Sequence, residues 1–196
     1  VYANGGKYAF GVYATAGTGD VSVTNTHDGE LGFYSYSGRG WGVFGYATQG
    51  DVNVVNDGAI SGYAYGQSAG IFGLAGQGDV NVTTTGSIEV ITGGNVAVGI
   101  FARADYGTAT VNNSGDIAVS VNQKYGYGAY GIVVSADGDG AVTNSGSIDV
   151  YSAGVANGAT ALSFAGDASV TNSGDITVES TAQLQYAASG IVAFAG

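Results

Sequence analysis

The 196-residue chain contains no cysteine, no proline and no methionine. Without cysteine there is no disulfide, no thiolate metal ligand and no thiol nucleophile, and the redox compartment is left open. Only four residues are basic (Lys7, Arg39, Arg103 and Lys124) against fifteen acidic ones, which gives a net charge of −11. Nucleic acid and anionic lipid both need cationic partners, so neither is expected to bind. No apolar run reaches the length of about 18 residues that a spanning helix needs, so no direct membrane insertion is expected. Val1 is preceded by neither an initiator methionine nor a signal peptide, and the chain reads as a processed or excised piece whose export signal has been removed.

What is abundant is glycine, with 37 residues, and tyrosine, with 14. The glycines follow no Gly-X-Y period, which excludes collagen. Interleaved Val, Ile and Tyr argue against a disordered linker, which buries too little apolar surface to offset ordering the chain.

The order of these residues is repetitive. "VNNSGDI" begins at Val111, "VTNSGSI" at Val142 and "VTNSGDI" at Val170, at intervals of 31 and 28 residues. Six units align on an opening glycine: Gly19, Gly50, Gly78, Gly107, Gly138 and Gly166. Five have aspartate next (Asp20, Asp51, Asp79, Asp139, Asp167), and the fourth has Thr108. Each then carries a valine (Val23, Val54, Val82, Val111, Val142, Val170). Two residues on stands Asn25, Asn56, Thr84, Asn113, Asn144 or Asn172, followed by a glycine and Ile or Leu. Thr26 and His27 are an insertion in the first unit. A closing motif of the form x-Gly-Ile/Val recurs as "FGVYA" at 10, "WGVFG" at 41, "AGIFG" at 69, "VGIFA" at 98, "YGIVV" at 130 and "SGIVA" at 189, with "TALSF" at 160 read as the degenerate sixth copy.

Within each unit apolar residues alternate with period two, the strand signature, and no 3.6-residue stripe appears. Three short strands every 30 residues or so cannot bury an apolar face alone, but stacking each strand on its counterpart one unit later satisfies core and backbone together. The sequence therefore predicts an all-β, right-handed parallel β-helix (β-solenoid), with three strands per coil and six to seven coils, over a single domain spanning 1–196. A propeller blade needs four strands from about 40 residues, and a sandwich needs tight antiparallel hairpins. The valines should form one inward column and the asparagines a hydrogen-bonded corner ladder, since an amide both donates and accepts. The glycine after each asparagine is expected to take a positive φ. Neither end shows a polar capping unit, so the chain reads as a segment of a longer array, or as a piece that stacks end to end on copies of itself.

The repeats "VTNSGSI…AGVANGATALSFAG" resemble the passenger repeats of type V autotransporters and related bacterial surface β-helix adhesins. That resemblance implies a secreted, extracellular protein held at a bacterial outer membrane and used for adhesion, aggregation or as a stalk. Its partners would be further repeats or other copies, and host or bacterial surface glycans or proteins. The family's C-terminal barrel is absent from these residues.

Candidate sites were read from the same alignment. Asp20, Asp51, Asp79, Asp139 and Asp167 would line one edge at about 4.8 Å per coil, where calcium could relieve their repulsion; the alternative is that each carboxylate accepts hydrogen bonds from its own turn. No other cofactor is expected. Tyr34, Tyr36, Trp41, Tyr63, Tyr65, Tyr125 and Tyr127 are ligand-contact candidates, because aromatic faces offer large area with a polar tip. Trp41 with Tyr34 and Tyr36 is the best group, although stacked aromatics also pack coil on coil. His27, the only imidazole, has no recognisable catalytic partner. A flat Thr-rich ice-binding face is not supported, because the outward positions of the first strand are too mixed. No catalytic residue is assigned: the acids obey the repeat, whereas a site would break it. The expectation is a non-enzymatic structural or adhesive rod, with an end-to-end fibre as the alternative and a polysaccharide-acting enzyme third.

Overall fold

A computed structural model describes residues 1–123, 127–181 and 188–196. Among these residues there are twenty strands and no helix. They form three parallel sheets wound into a β-solenoid of about six turns, roughly 29 residues per turn.

Each sheet gathers one motif. A six-stranded sheet runs from Val21–Asn25 through Val52–Asn56, Val80–Thr84, Ala109–Asn113 and Gly140–Asn144 to Ala168–Asn172; we call it the valine sheet. A seven-stranded isoleucine sheet starts at Tyr2–Gly5 and Glu30–Ser35 and ends at Ile176–Ser180. The third, also seven-stranded, holds the longest strands, such as Arg39–Ala47 and Val96–Ala104 with nine residues each; it is the long sheet.

The register is the one that the repeats demand. Val23, Val54, Val82, Val111, Val142 and Val170 are successive Cα partners, and so are Asn25, Asn56, Thr84, Asn113, Asn144 and Asn172. The valines from Val23 to Val142 are buried, and the isoleucines Ile60, Ile88, Ile117 and Ile148 are at most 1% exposed. Where the first full coil departs from the pattern, its neighbours compensate. Phe33 fills the core beside Gly40 and beneath Gly62, and a Cβ on either glycine would strike its ring. Total volume is thereby kept, which is what a packed interior requires.

Two sequence expectations are corrected. The glycine of each Asn-x-Gly motif does not have a positive φ; it is glycine because a Cβ on Gly115, Gly146 or Gly174 would collide with the carbonyl oxygen of the equivalent glycine one coil earlier. The sixth closing motif begins at Asn157, not Thr160: Ile132 pairs with Ala159 and then Ile191, so Gly158 takes the conserved geometry of Gly131 and Gly190. Steric contact explains that column too, since a Cβ on Gly99 would lie 2.5 Å from both the Gly131 carbonyl oxygen and Ile117 Cγ2.

Candidate functional site

Three corners and faces hold the residues singled out by the repeats. At the corner after the valine sheet the amides form the expected ladder: Asn25 Nδ2 donates to Asn56 Oδ1 at 2.7 Å, Asn113 Nδ2 to Asn144 Oδ1 at 2.6 Å and Asn144 Nδ2 to Asn172 Oδ1 at 2.7 Å. Asn113, Asn144 and Asn172 also donate within their own turn, to Gly115, Gly146 and Gly174 carbonyls. These residues are interior structure and face no ligand.

The aspartates stack as aligned, and four of them accept backbone bonds from the following coil, not from their own turn. Asp20 Oδ1 accepts the backbone N–H of Asp51 at 2.9 Å, Asp51 Oδ1 that of Asp79 at 2.9 Å, Asp79 Oδ1 that of Thr108 at 2.8 Å and Asp139 Oδ1 that of Asp167 at 2.9 Å. These four carboxylates tie their coils to the next. Among the described residues no group of three or more His, Cys, Asp or Glu side chains is arranged to hold a metal ion. His27 is exposed in the turn after Asn25.

The aromatic candidates separate into two sets. Tyr34 and Tyr63 are register partners on the outer face of the isoleucine sheet, stacked at 5.3 Å, with Tyr36 edge-on to Tyr34 at 4.7 Å. Tyr65 and Tyr127 are exposed, and Tyr125 lies outside the described residues. Trp41 belongs to the long sheet and does not join Tyr34 and Tyr36; its ring packs on Phe10 at 4.8 Å and on Phe44 at 5.8 Å.

The long sheet carries a feature that the repeat alignment missed. Tyr13, Phe44, Phe72 and Phe101 stack coil on coil, with centroids 5.1, 5.3 and 4.9 Å apart and planes within 13°. Beside them runs a second outward column, Phe10, Trp41, Ala69, Val98 and Tyr130. Its rings are interrupted after Trp41 by Ala69 and Val98 before Tyr130, and a groove of about 630 Å³ opens there along the sheet. Burial raises the Tyr130 hydroxyl above its ordinary pKa. The signal was present as Phe or Tyr three residues after Phe10, Trp41, Ala69 and Val98, but only coil-to-coil register turns that spacing into a surface.

A second, shallower hollow of about 350 Å³ lies on the isoleucine sheet. Glu89 and Asp149 border it with Ala118 between them in register, and Glu179 lies further along. No protein-family model, curated protein or solved structure matches the chain.

Proposed function

We propose that the chain is a non-enzymatic structural and adhesive rod of an extracellular bacterial surface protein, of the autotransporter-passenger kind. Stacked coils supply length and resistance to unfolding, and the outer faces supply contact. The observation that carries this reading is the contrast between the two sides of the long sheet. Inside, Ile71, Ile100 and Ile132 are wholly buried. Outside, seven aromatic rings (Tyr8, Phe10, Tyr13, Trp41, Phe44, Phe72 and Phe101) remain partly or largely exposed around one groove. A core needs no such ring surface, and large exposed apolar patches mark contact sites. No acid lines that groove, which favours contact over glycosidic-bond cleavage, a reaction that needs two carboxylates.

A second reading is the end-to-end fibre, in which copies of the chain join by strand addition. Negative-stain microscopy of the purified chain tests both, with isolated short rods expected and filaments favouring the fibre. A reducing-sugar assay on acidic and neutral glycans is expected to show no cleavage; release of reducing ends would return the hollow at Glu89 and Asp149 to consideration as a catalytic site.

A further inference from the structure

The groove on the long sheet has a definite shape. Phe10 stacks on one face of Trp41. Tyr8, also on the preceding coil, stacks at 6.4 Å; the partner on the following coil is Ala69, and among the described residues no ring lies against that face. Ala69 and Val98 form the floor, the Phe44, Phe72 and Phe101 edges form one wall, and Arg39 with Gln67 form the opposite rim. A volume of this size is in the range of small-molecule sites.

Its electrostatics oppose those of the rest of the chain. The chain carries −11, yet no acid lines the groove. Three basic side chains fall among the described residues. Arg103 is paired with Asp105 at 2.7 Å. The other two, Arg39 and Lys7, make no ion pair among the described residues, and Arg39 stands at this rim. Arg39 is the register partner of Tyr8, and the Lys7 ammonium lies 5.9 Å from the Tyr8 ring centroid. Arg39, on the same strand as Trp41, is therefore the cation without an acidic partner that lines the groove, while Lys7 lies one coil earlier, beside Tyr8.

The geometry points to a binding site for an acidic glycan, with a sugar ring laid on the free face of Trp41 and its carboxylate met by Arg39. A flat apolar ring face beside a carboxylate is what a uronic-acid unit presents, and the slot runs lengthwise along the sheet, as a chain of such units would. This assignment rests on the adhesive reading, and it names the ligand of that contact surface.

Trp41 is the chain's only tryptophan, so its fluorescence reports this slot alone. The whole chain is titrated with galacturonate oligomers, with neutral galactan oligomers of equal length and with polyglutamate as controls. A saturable change is expected with the uronic acid oligomers only. Arg39→Gln should weaken that binding at least about tenfold, the worth of a charge-assisted hydrogen bond. Ala69→Phe continues the ring column over Trp41, fills the slot and should abolish binding while melting is unchanged; if that variant fails to fold, Val98→Phe fills the neighbouring part of the slot and makes the same test. No saturable change, binding that survives the filled slot, or equal binding of polyglutamate each overturns the assignment. So does concentration-dependent self-association that the filled slot removes, since a second copy would then be the occupant. None of these outcomes touches the rod itself, which microscopy judges separately.

Discussion

The asparagine and aspartate corners use the same device in different surroundings. In each, a side-chain oxygen of one coil accepts an N–H proton of a neighbouring coil. Each column is also interrupted once by threonine, at Thr84 and at Thr108. The consequences differ. Asparagine has two amide protons, one for its own turn and one for the next rung. Thr84 has a single proton, which goes to the Gly86 carbonyl at 3.2 Å, while its oxygen accepts from Asn56 at 3.0 Å. Nothing is left to donate to Asn113 Oδ1, which is buried and has no partner among the described residues. At the other corner Thr108 offers no carboxylate to the backbone N–H of Asp139, but Asp139 is exposed and solvent is at hand. The same chemical lapse costs stability only where solvent is excluded.

The largest effect should come from breaking the intact half of the buried ladder. Asn144→Ala removes an acceptor for Asn113 and donors to Asn172 and the Gly146 carbonyl. With Asn144 at 1% exposure, a loss of about 3 kcal/mol in unfolding free energy is expected, measured by urea denaturation. A loss near zero would mean that water replaces the amide there and that the two corners do not differ.

Repairing the interrupted half is the converse. Thr84→Asn restores the missing proton and should pair with Asn113 Oδ1, stabilising the chain by about 1 kcal/mol, since that is the lower range of the penalty for an unsatisfied buried acceptor. Asn113→Ala made alone and with Thr84→Asn separates the rung from local packing, because the gain should vanish when the acceptor is absent. At the exposed corner Asp51→Ala should cost less, about 0.5 to 1 kcal/mol, whereas Asp51→Asn keeps an oxygen for the Asp79 N–H and should be nearly neutral.

How much of this could be read from letters follows from the same contrast. The Val23 and Asn25 columns were legible because each residue acts on its own kind one period away. Thr84 was legible as an exception, but its cost was not, since that depends on counting protons in a buried turn. The aspartates were placed correctly in a column, yet their role depends on whether a carboxylate reaches its own turn or the next coil. Gly158 was missed because its motif, Asn157-Gly158-Ala159, replaces the usual Ile with Ala and the alignment slid to Thr160. The groove was hidden for another reason. Ala69 and Val98 are unremarkable residues, and the slot exists only because register sets them between Trp41 and Tyr130.

The smallest expected effect is none at all, and it concerns calcium. A calcium ion takes six to eight oxygens. Four of the five aspartates already commit Oδ1 to a backbone N–H of the following coil, and turning that oxygen toward a cation would release the amide. The carboxylates also sit one coil spacing apart, about 4.8 Å, so in water their mutual repulsion is of order a kcal/mol or less and presses weakly for neutralisation. Melting with excess chelator should therefore match melting with added calcium. If chelator lowers the midpoint and Asp51→Asn removes that sensitivity, the column binds the ion after all, and the backbone bonds are what the protein uses in its absence.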